Sequence, residues 1–426
     1  MFDFGSHKIF TFFRAMRVAN MPGKHAARNF LRLLMIALPI MAMALSVDAQ
    51  ERASEPTPGK AVTTPLASPV PPLVTPPPSA ATSVGVPGTK DAEMPAAPVA
   101  HIALLIPLAS KTFGKVADAL KLGFVAGAEA DGKNASLYRV YTAEDEGGSL
   151  ATQVRKAVAD GAIAIIGGVT RDGASTIARE SRLLPTLALN APVVTSDNEL
   201  PDRFFYISLS LDLEARLVAR MAADEGLRSV AVVVANNALS KRIQDSFEKE
   251  WLRLGGDIAA QIAFGNDPND ATRVATAMEK LGPKSSAVFL AADPAAARSI
   301  RPYLPTGMPV FTTSHTVDPR AEAIANLDLD NVRYLEMPWF AERDHAAVMA
   351  YAKPPQSLAV EYERLYALGI DAWRLGQLLA KIESARTMVP LDGVTGRITL
   401  DGRQFTRALS PVEVRNGKSQ LHRPAE

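Results

Sequence analysis

The pair Gly167-Gly168 stands where an apolar run gives way to an amphipathic one, with Val169-Thr170 next in line. A turn of this kind frees backbone N–H groups at a helix start, where they can hold a carboxylate. It serves equally well as a tight βα connection. Asn190 follows the apolar run 186–189, Ser208 and Ser210 follow 204–207, and Ser314 with His315 follows 310–312. Each of these polar side chains is thus expected at the C-terminal end of a strand, the end at which open α/β sheets take their ligands. Thr170, Asn190, Ser208, Ser210 and Ser314 are therefore the ligand-cleft candidates. A few convergent hydroxyl and amide groups in an apolar pocket support binding more readily than bond-making.

The residues that would carry catalysis are missing or badly placed. The chain has no cysteine, so thiolate nucleophiles, disulfides and Cys-based metal sites are excluded. Beyond the first hundred residues the histidines are His101, His315, His345 and His422, and no two have metal-ligand spacing. His315 reads as a structural hydrogen-bonding residue. Glu144-Asp145-Glu146 and Arg171-Asp172 read as solvated loops, because no base-nucleophile arrangement accompanies them. G-x-S-x-G, P-loop and H-E-x-x-H motifs do not occur. No enzyme activity, cofactor or metal is expected. Met337-Pro338-Trp339-Phe340 offers Trp339 and Phe340 as protein-contact candidates, since aromatic residues concentrate at interface hot spots; a buried hinge crossing explains them as well.

What must position these groups is a series of short apolar runs alternating with longer amphipathic ones, the pattern of βαβ units and parallel sheets. Strands are expected at 102–106, 137–141, 163–166, 186–189 and 204–207, then at 230–234, 258–264, 287–290, 310–312 and 332–335. Runs apolar on both faces predict sheets covered by helices on each side. Helical stripes recur at Phe113, Val116, Leu120 and Phe124, and at Leu213, Leu217 and Met221, with Ser210 or Asp212 able to cap the latter. The longest stripe is Tyr362, Tyr366, Gly369, Trp373, Gly376 and Ala380, whose glycines allow a neighbouring backbone close. Asp293 before Pro294 reads as an N-cap. The tail, with turns at Asp401-Gly402 and Asn416-Gly417, predicts antiparallel strands that pack on the second lobe.

Residues 1–49 are expected to be a secretory leader. Lys24, Arg28 and Arg32 form a basic region leading into an apolar run over 30–45, and Val47-Asp48-Ala49 resembles a cleavage site, with 42–44 as the second choice and Met21 as an alternative start. The run is about 16 residues, short of the roughly 20 of a spanning helix. Residues 50–99 are expected to be a disordered linker, because 55–98 hold twelve prolines and almost no large apolar residue. As polyproline II, about 45 residues at 3.1 Å each would reach on the order of 140 Å. Beyond residue 49 the chain carries 40 basic and 43 acidic residues, near −3 in all. That balance argues against a nucleic-acid partner.

The ordered series HIALLIPL at 101–108, GAIAIIGG at 161–168, LALN at 187–190 and FYISL at 205–209 carries a resemblance. It continues with PVFTTS at 309–314, EMPW at 336–339, RLYALGIDA at 364–372 and DGVTGR at 392–397. The chain resembles the periplasmic-binding domain of the penicillin-binding protein activator family, itself similar to type I solute-binding proteins of the Leu/Ile/Val-binding kind. The resemblance implies a two-lobed α/β periplasmic-binding-protein type I fold over 100–426, each lobe a parallel sheet flanked by helices, with three interlobe crossings. Lobe 1 is expected at about 100–209 and 338–388, lobe 2 at about 210–337 and 389–420. It further implies a non-enzymatic periplasmic protein that contacts a peptidoglycan synthase, a penicillin-binding protein. The alternative it leaves open is a solute-binding protein that brings an amino acid or similar small molecule to an ABC importer. Two features lean against import: the loop 236–240 has no aromatic residue to cover a ligand, and a diffusing carrier has no use for a long Pro-rich lead. The chain departs from the family's best-known members in having no lipobox cysteine and no room for N-terminal helical repeats.

Overall fold

The computed structural model describes residues 98–194, 196–381 and 390–423; the expected leader, and the expected linker apart from its last two residues, lie outside them. The first half of the fold alternates as the apolar runs predict. β1 (His101–Ile106), α1 (Gly114–Asp131), β2 (Tyr138–Thr142), α2 (Gly148–Ala159), β3 (Ala162–Gly167), α3 (Arg171–Glu180), β4 (Thr186–Ala188) and β5 (Phe204–Ile207) build one parallel series. α4 (Leu211–Asp224), β6 (Ser229–Ala235), α5 (Ala238–Arg253), β7 (Asp257–Phe264), α6 (Asp270–Leu281), β8 (Ala287–Ala291), α7 (Pro294–Ile300), β9 (Val310–Phe311) and β10 (Val332–Glu336) build the second. Ser210 caps α4 and Asp293 caps α7, each accepting backbone N–H bonds from the first turn.

Alternate residues of the central strands enter different cores. Ile102, Leu104 and Ile106 pack on one face of the first sheet, Ala103 and Leu105 on the other. In the second sheet Ala231 and Val233 oppose Val230, Val232 and Val234. Burial on both faces accounts for continuous apolar runs where an alternating pattern would leave one face wet. β2 and β7 depart from this: they are the parallel edges of their sheets, and most of their side chains are exposed or half-buried.

After β10 the chain passes through the short helices α8 (Pro338–Ala341) and α9 (Ala346–Met349) to the long α10 (Val360–Lys381), which lies against α1. Their glycines permit this. A Cβ on Gly123 would stand 1.8 Å from the Tyr366 carbonyl oxygen, and one on Gly369 would stand 2.2 Å from that of Leu120.

The tail corrects one expectation. β11 (Leu391–Gly393), β12 (Gly396–Asp401) and β13 (Gln404–Ala408) join the first sheet, not the second. β13 pairs in parallel with β5, through Gln404 opposite Tyr206 and Phe405 opposite Ile207. The open edge of β5 needs a partner, and Ile398 and Phe405 supply apolar cover to the same core. Only β14 (Ser410–Arg415) and β15 (Lys418–Leu421) extend the second sheet, β14 antiparallel to β10 and the pair turning at Asn416-Gly417, both at positive φ. Both sheets are thus mixed, with parallel cores and antiparallel margins. The chain changes sheet three times, after β5, after β10 and at Leu409, so the last change falls some twenty residues later than the expected boundary at 389.

Candidate functional site

The turn after β3 does gather N–H groups on a carboxylate, and the carboxylate is the protein's own. Val169 and Thr170 donate their backbone N–H groups to Glu146 at 3.3 and 2.8 Å, and the Thr170 hydroxyl donates to it at 3.0 Å. Thr170 also caps α3, its Oγ1 accepting from the Gly173 N–H. Gly168 is at φ +69, which glycine adopts without strain. Gly173 leaves room for the acid: a Cβ there would lie 1.7 Å from Glu146 Oε2. Glu146 is buried, in contrast to the solvated loop expected for 144–146, and burial raises its pKa against the lowering pull of the three donors. Asn190 is spent on the same turn, its amide donating to the Val169 carbonyl at 3.0 Å and its oxygen accepting from Ala191 at 2.9 Å.

A second network joins the lobes near the crossings. Arg364, on α10, makes a bidentate pair with Glu336 at the end of β10, with Nη2 to Oε2 at 2.7 Å, and also reaches the Ser314 carbonyl at 3.3 Å. Ser314 in turn gives its hydroxyl to Glu214 Oε2 at 2.9 Å and its backbone N–H to Oε1. Burial pushes the Glu214 carboxyl up to about 7, aided by the charge of Glu336 and opposed by the Ser314 donors and Arg364. For Arg364 burial disfavours the charge, but Glu336 and Glu214 outweigh it and hold the guanidinium protonated. Ser208 is buried beside this network, and Ser210 remains a helix cap.

Arg320 forms a parallel clamp, donating to the Leu358 carbonyl at 2.8 Å and pairing with Glu363. Glu363 also accepts the Trp339 indole N–H at 2.8 Å. Trp339 and Phe340 are only 1% and 6% exposed, which corrects their reading as surface contacts. Lys353 covers the Trp339 ring at 3.8 Å and Arg364 stands over Phe340 at 5.2 Å, so both rings serve the crossing. Above the network lies a cavity of about 580 Å³, walled by Leu209, Ser314, His315, Val360 and Arg364 among others. Burial lowers the His315 pKa, which favours the neutral ring. Among the described residues no group of three His, Asp or Glu could hold a metal ion.

The sequence candidates therefore divide: Thr170 and Asn190 meet at one internally filled turn, while Ser314 belongs to the interlobe network. Glu146, Glu214, Glu336, Arg320 and Arg364 escaped sequence reasoning. The one available signal was in α4, where Glu214 interrupts the Ala215, Val218, Ala219 and Ala222 face that the structure buries. The expected stripe of Leu213, Leu217 and Met221 is only half-buried.

Two mixed, helix-flanked sheets exchanged three times by one chain define a periplasmic-binding-protein type I fold. Residues 78–417 match the family described as "LppC putative lipoprotein", and the chain belongs to it. It is similar to the penicillin-binding protein activator LpoA of Escherichia coli K12, 23% identical over 281 residues, which covers 56% of this chain and 41% of that protein. Against LpoA of Shigella flexneri serotype X the identity is 23% over 301 residues, 61% of this chain and 44% of the relative. The chain thus spans less than half the length of these curated relatives. Among solved structures, a "putative branched-chain amino acid ABC transporter" from Chromobacterium violaceum is 34% identical with a TM-score of 0.63, covering 74% of this chain and 99% of that one. The C-domain of Haemophilus influenzae LpoA, a regulator of PBP1A, superposes with a TM-score of 0.60 over 76% of this chain and all of that domain. At 19% identity that likeness concerns the fold.

Proposed function

We propose that this chain is a non-enzymatic regulator of a peptidoglycan synthase of the penicillin-binding class, acting by protein contact in the periplasm. In this reading residues 1–49 direct export, 50–99 tether the two-lobed body, and the body from residue 100 meets the synthase. The observation that carries the proposal is Glu146. A solute carrier of this fold needs its N–H cradle free for the ligand, and here Val169 and Thr170 are already committed to an internal carboxylate. The interlobe pair Arg364–Glu336 likewise joins the lobes through protein groups. Membership of the LppC family and the resemblance to LpoA support the same partner class.

The second reading, delivery of an amino acid to an importer, draws on the likeness to the C. violaceum protein and on the cavity beside Ser314. Two measurements separate them: glycan polymerisation by a penicillin-binding synthase with and without the full chain, and a thermal-shift titration with leucine, isoleucine and valine. Regulation predicts a faster synthase and no shift with the amino acids beyond that given by acetate at the same concentration. A carrier would gain about 2.7 kcal/mol from ligand at a hundred times its dissociation constant; such a shift with an unchanged synthase would overturn the proposal.

A further inference from the structure

A second groove, of about 420 Å³, runs between α4 of the second lobe and the β12–β13 hairpin of the first. Its chemistry is unbalanced. Arg216 makes no hydrogen bond or ion pair with a described residue. Arg407 is half-buried, and its guanidinium donates in one hydrogen bond, from Nη1 to the Thr395 carbonyl at 3.0 Å. The Ser208 hydroxyl has no partner among the described residues, and the Gln404 amide nitrogen has none either, its oxygen receiving a long 3.5 Å bond from the Tyr206 hydroxyl. Four donors with capacity to spare thus line one space.

Acceptors are scarce there. Glu214 reaches the groove but spends both oxygens on Ser314. Arg220 is answered from outside, by Glu250 at 2.7 Å. Asp401 is exposed at the hairpin turn and is the remaining carboxylate of the lining. Donor surplus around a guanidinium partly removed from water is the condition under which an oxyanion binds, because charged hydrogen bonds are the strong ones and an Arg fork matches carboxylate or phosphate.

We propose that this groove is a binding site for a small oxyanion, a carboxylate or a phosphate ester, whose charged group pairs with Arg407 and Arg216 and whose remaining polar atoms take up Ser208 and Gln404. Its walls come from both lobes, so the occupant fastens α4 to β13. Burial lowers the Arg407 pKa, with Glu214 and Asp371 acting against it through space, and an anion in the groove would counter that loss. The site lies apart from the Glu146 cradle and does not depend on whether the chain regulates a synthase.

The test titrates the full chain with inorganic phosphate and, separately, with glucuronate at low ionic strength, reading the thermal midpoint and the heat of binding, with sodium chloride as the ionic control. A saturable rise with either anion is expected, weakened at least fivefold in Arg216→Gln and lost in Arg407→Gln. Which anion acts separates a phosphate from a carboxylate ligand. Arg407→Gln also loses the Thr395 bond, so Arg216→Gln, which has no bond to lose, is the deciding variant if the other folds badly. Arg298→Gln, in the wall of the cavity beside Ser314, should bind as the parent does. The proposal is overturned by no saturable rise with either anion, by undiminished binding in Arg216→Gln, or by equal loss in Arg298→Gln.

Discussion

The Glu146 carboxylate accepts the Thr170 backbone N–H at 2.8 Å and the Thr170 hydroxyl at 3.0 Å, so the end of β3 carries a carboxylate complex made within one chain. Replacing Glu146 with alanine strands the Val169 and Thr170 N–H groups in a partly buried site, and leaving such donors unmade costs up to about 1–3 kcal/mol. The variant should unfold at correspondingly lower denaturant. Added acetate should raise the midpoint of Glu146→Ala by more than it raises that of the parent, because only the variant offers an empty cradle. Equal response of both proteins to acetate would remove the argument that the cradle is self-filled.

That cradle also marks the limit of what the residues alone disclose. Strand positions and burial follow from runs such as 230–234, whose every residue packs on one core or the other, and all ten parallel strands stand at or within a few residues of their expected places. Thr170 and Asn190 stand just past strand ends, as local pattern is enough to predict. Their partner was not legible, because Glu146 lies more than twenty residues upstream in a charged loop whose composition reads as solvated. Long-range pairing is the common cause of the other departures. Arg364 and Glu336, or β13 and β5, meet only because the chain returns to an earlier sheet, and no periodicity records a return. Trp339 misleads for a related reason: an aromatic residue looks the same in sequence whether it closes a crossing or faces a partner.

Glu214 should make stability depend on pH across the neutral range. Its carboxyl is near 4.5 when unfolded and about 7 in the folded protein, where burial and Glu336 oppose Ser314 and Arg364. A raised folded pKa means stabilisation that is full below about pH 4.5 and lost as pH rises through about 7. The loss is about 3 kcal/mol for a shift of this size. Glu146 and Asp371, also raised by burial, act in the same direction. Chemical denaturation from pH 5 to 8 should therefore show the parent falling more steeply than Glu214→Gln. Parallel curves would mean that Glu214 is ionised throughout.

Arg364→Met leaves Glu336, 1% exposed, as a buried charge without its partner. Removal of one member of such a pair costs about 3–5 kcal/mol. Because the pair joins α10 to β10, the loss should also appear as an increase in the radius of gyration by small-angle scattering. Adding Glu336→Gln removes the stranded charge and should recover much of the stability while the lobes remain less tightly joined. A double variant as unstable as Arg364→Met would contradict this account, since the cost would then lie in lost packing and not in charge.

The contact of α1 with α10 supplies a steric prediction with its own control. A methyl group on Gly123 would be 1.8 Å from the Tyr366 carbonyl oxygen, a backbone atom that cannot turn aside as a side chain could. The helices would have to separate along a seam that also holds Phe124 against Trp373 at 5.2 Å, so Gly123→Ala should destabilise by about 3 kcal/mol, at the upper end of ordinary overpacking. Gly148 opens α2 with nothing within 4 Å of its would-be Cβ. Gly148→Ala should be neutral or stabilise by up to about 1 kcal/mol, because alanine narrows the unfolded ensemble at no steric cost. Urea denaturation of the two variants should move in opposite directions or show one unmoved. If Gly123→Ala were as harmless as Gly148→Ala, the close seam would not be what holds α10 to the first lobe.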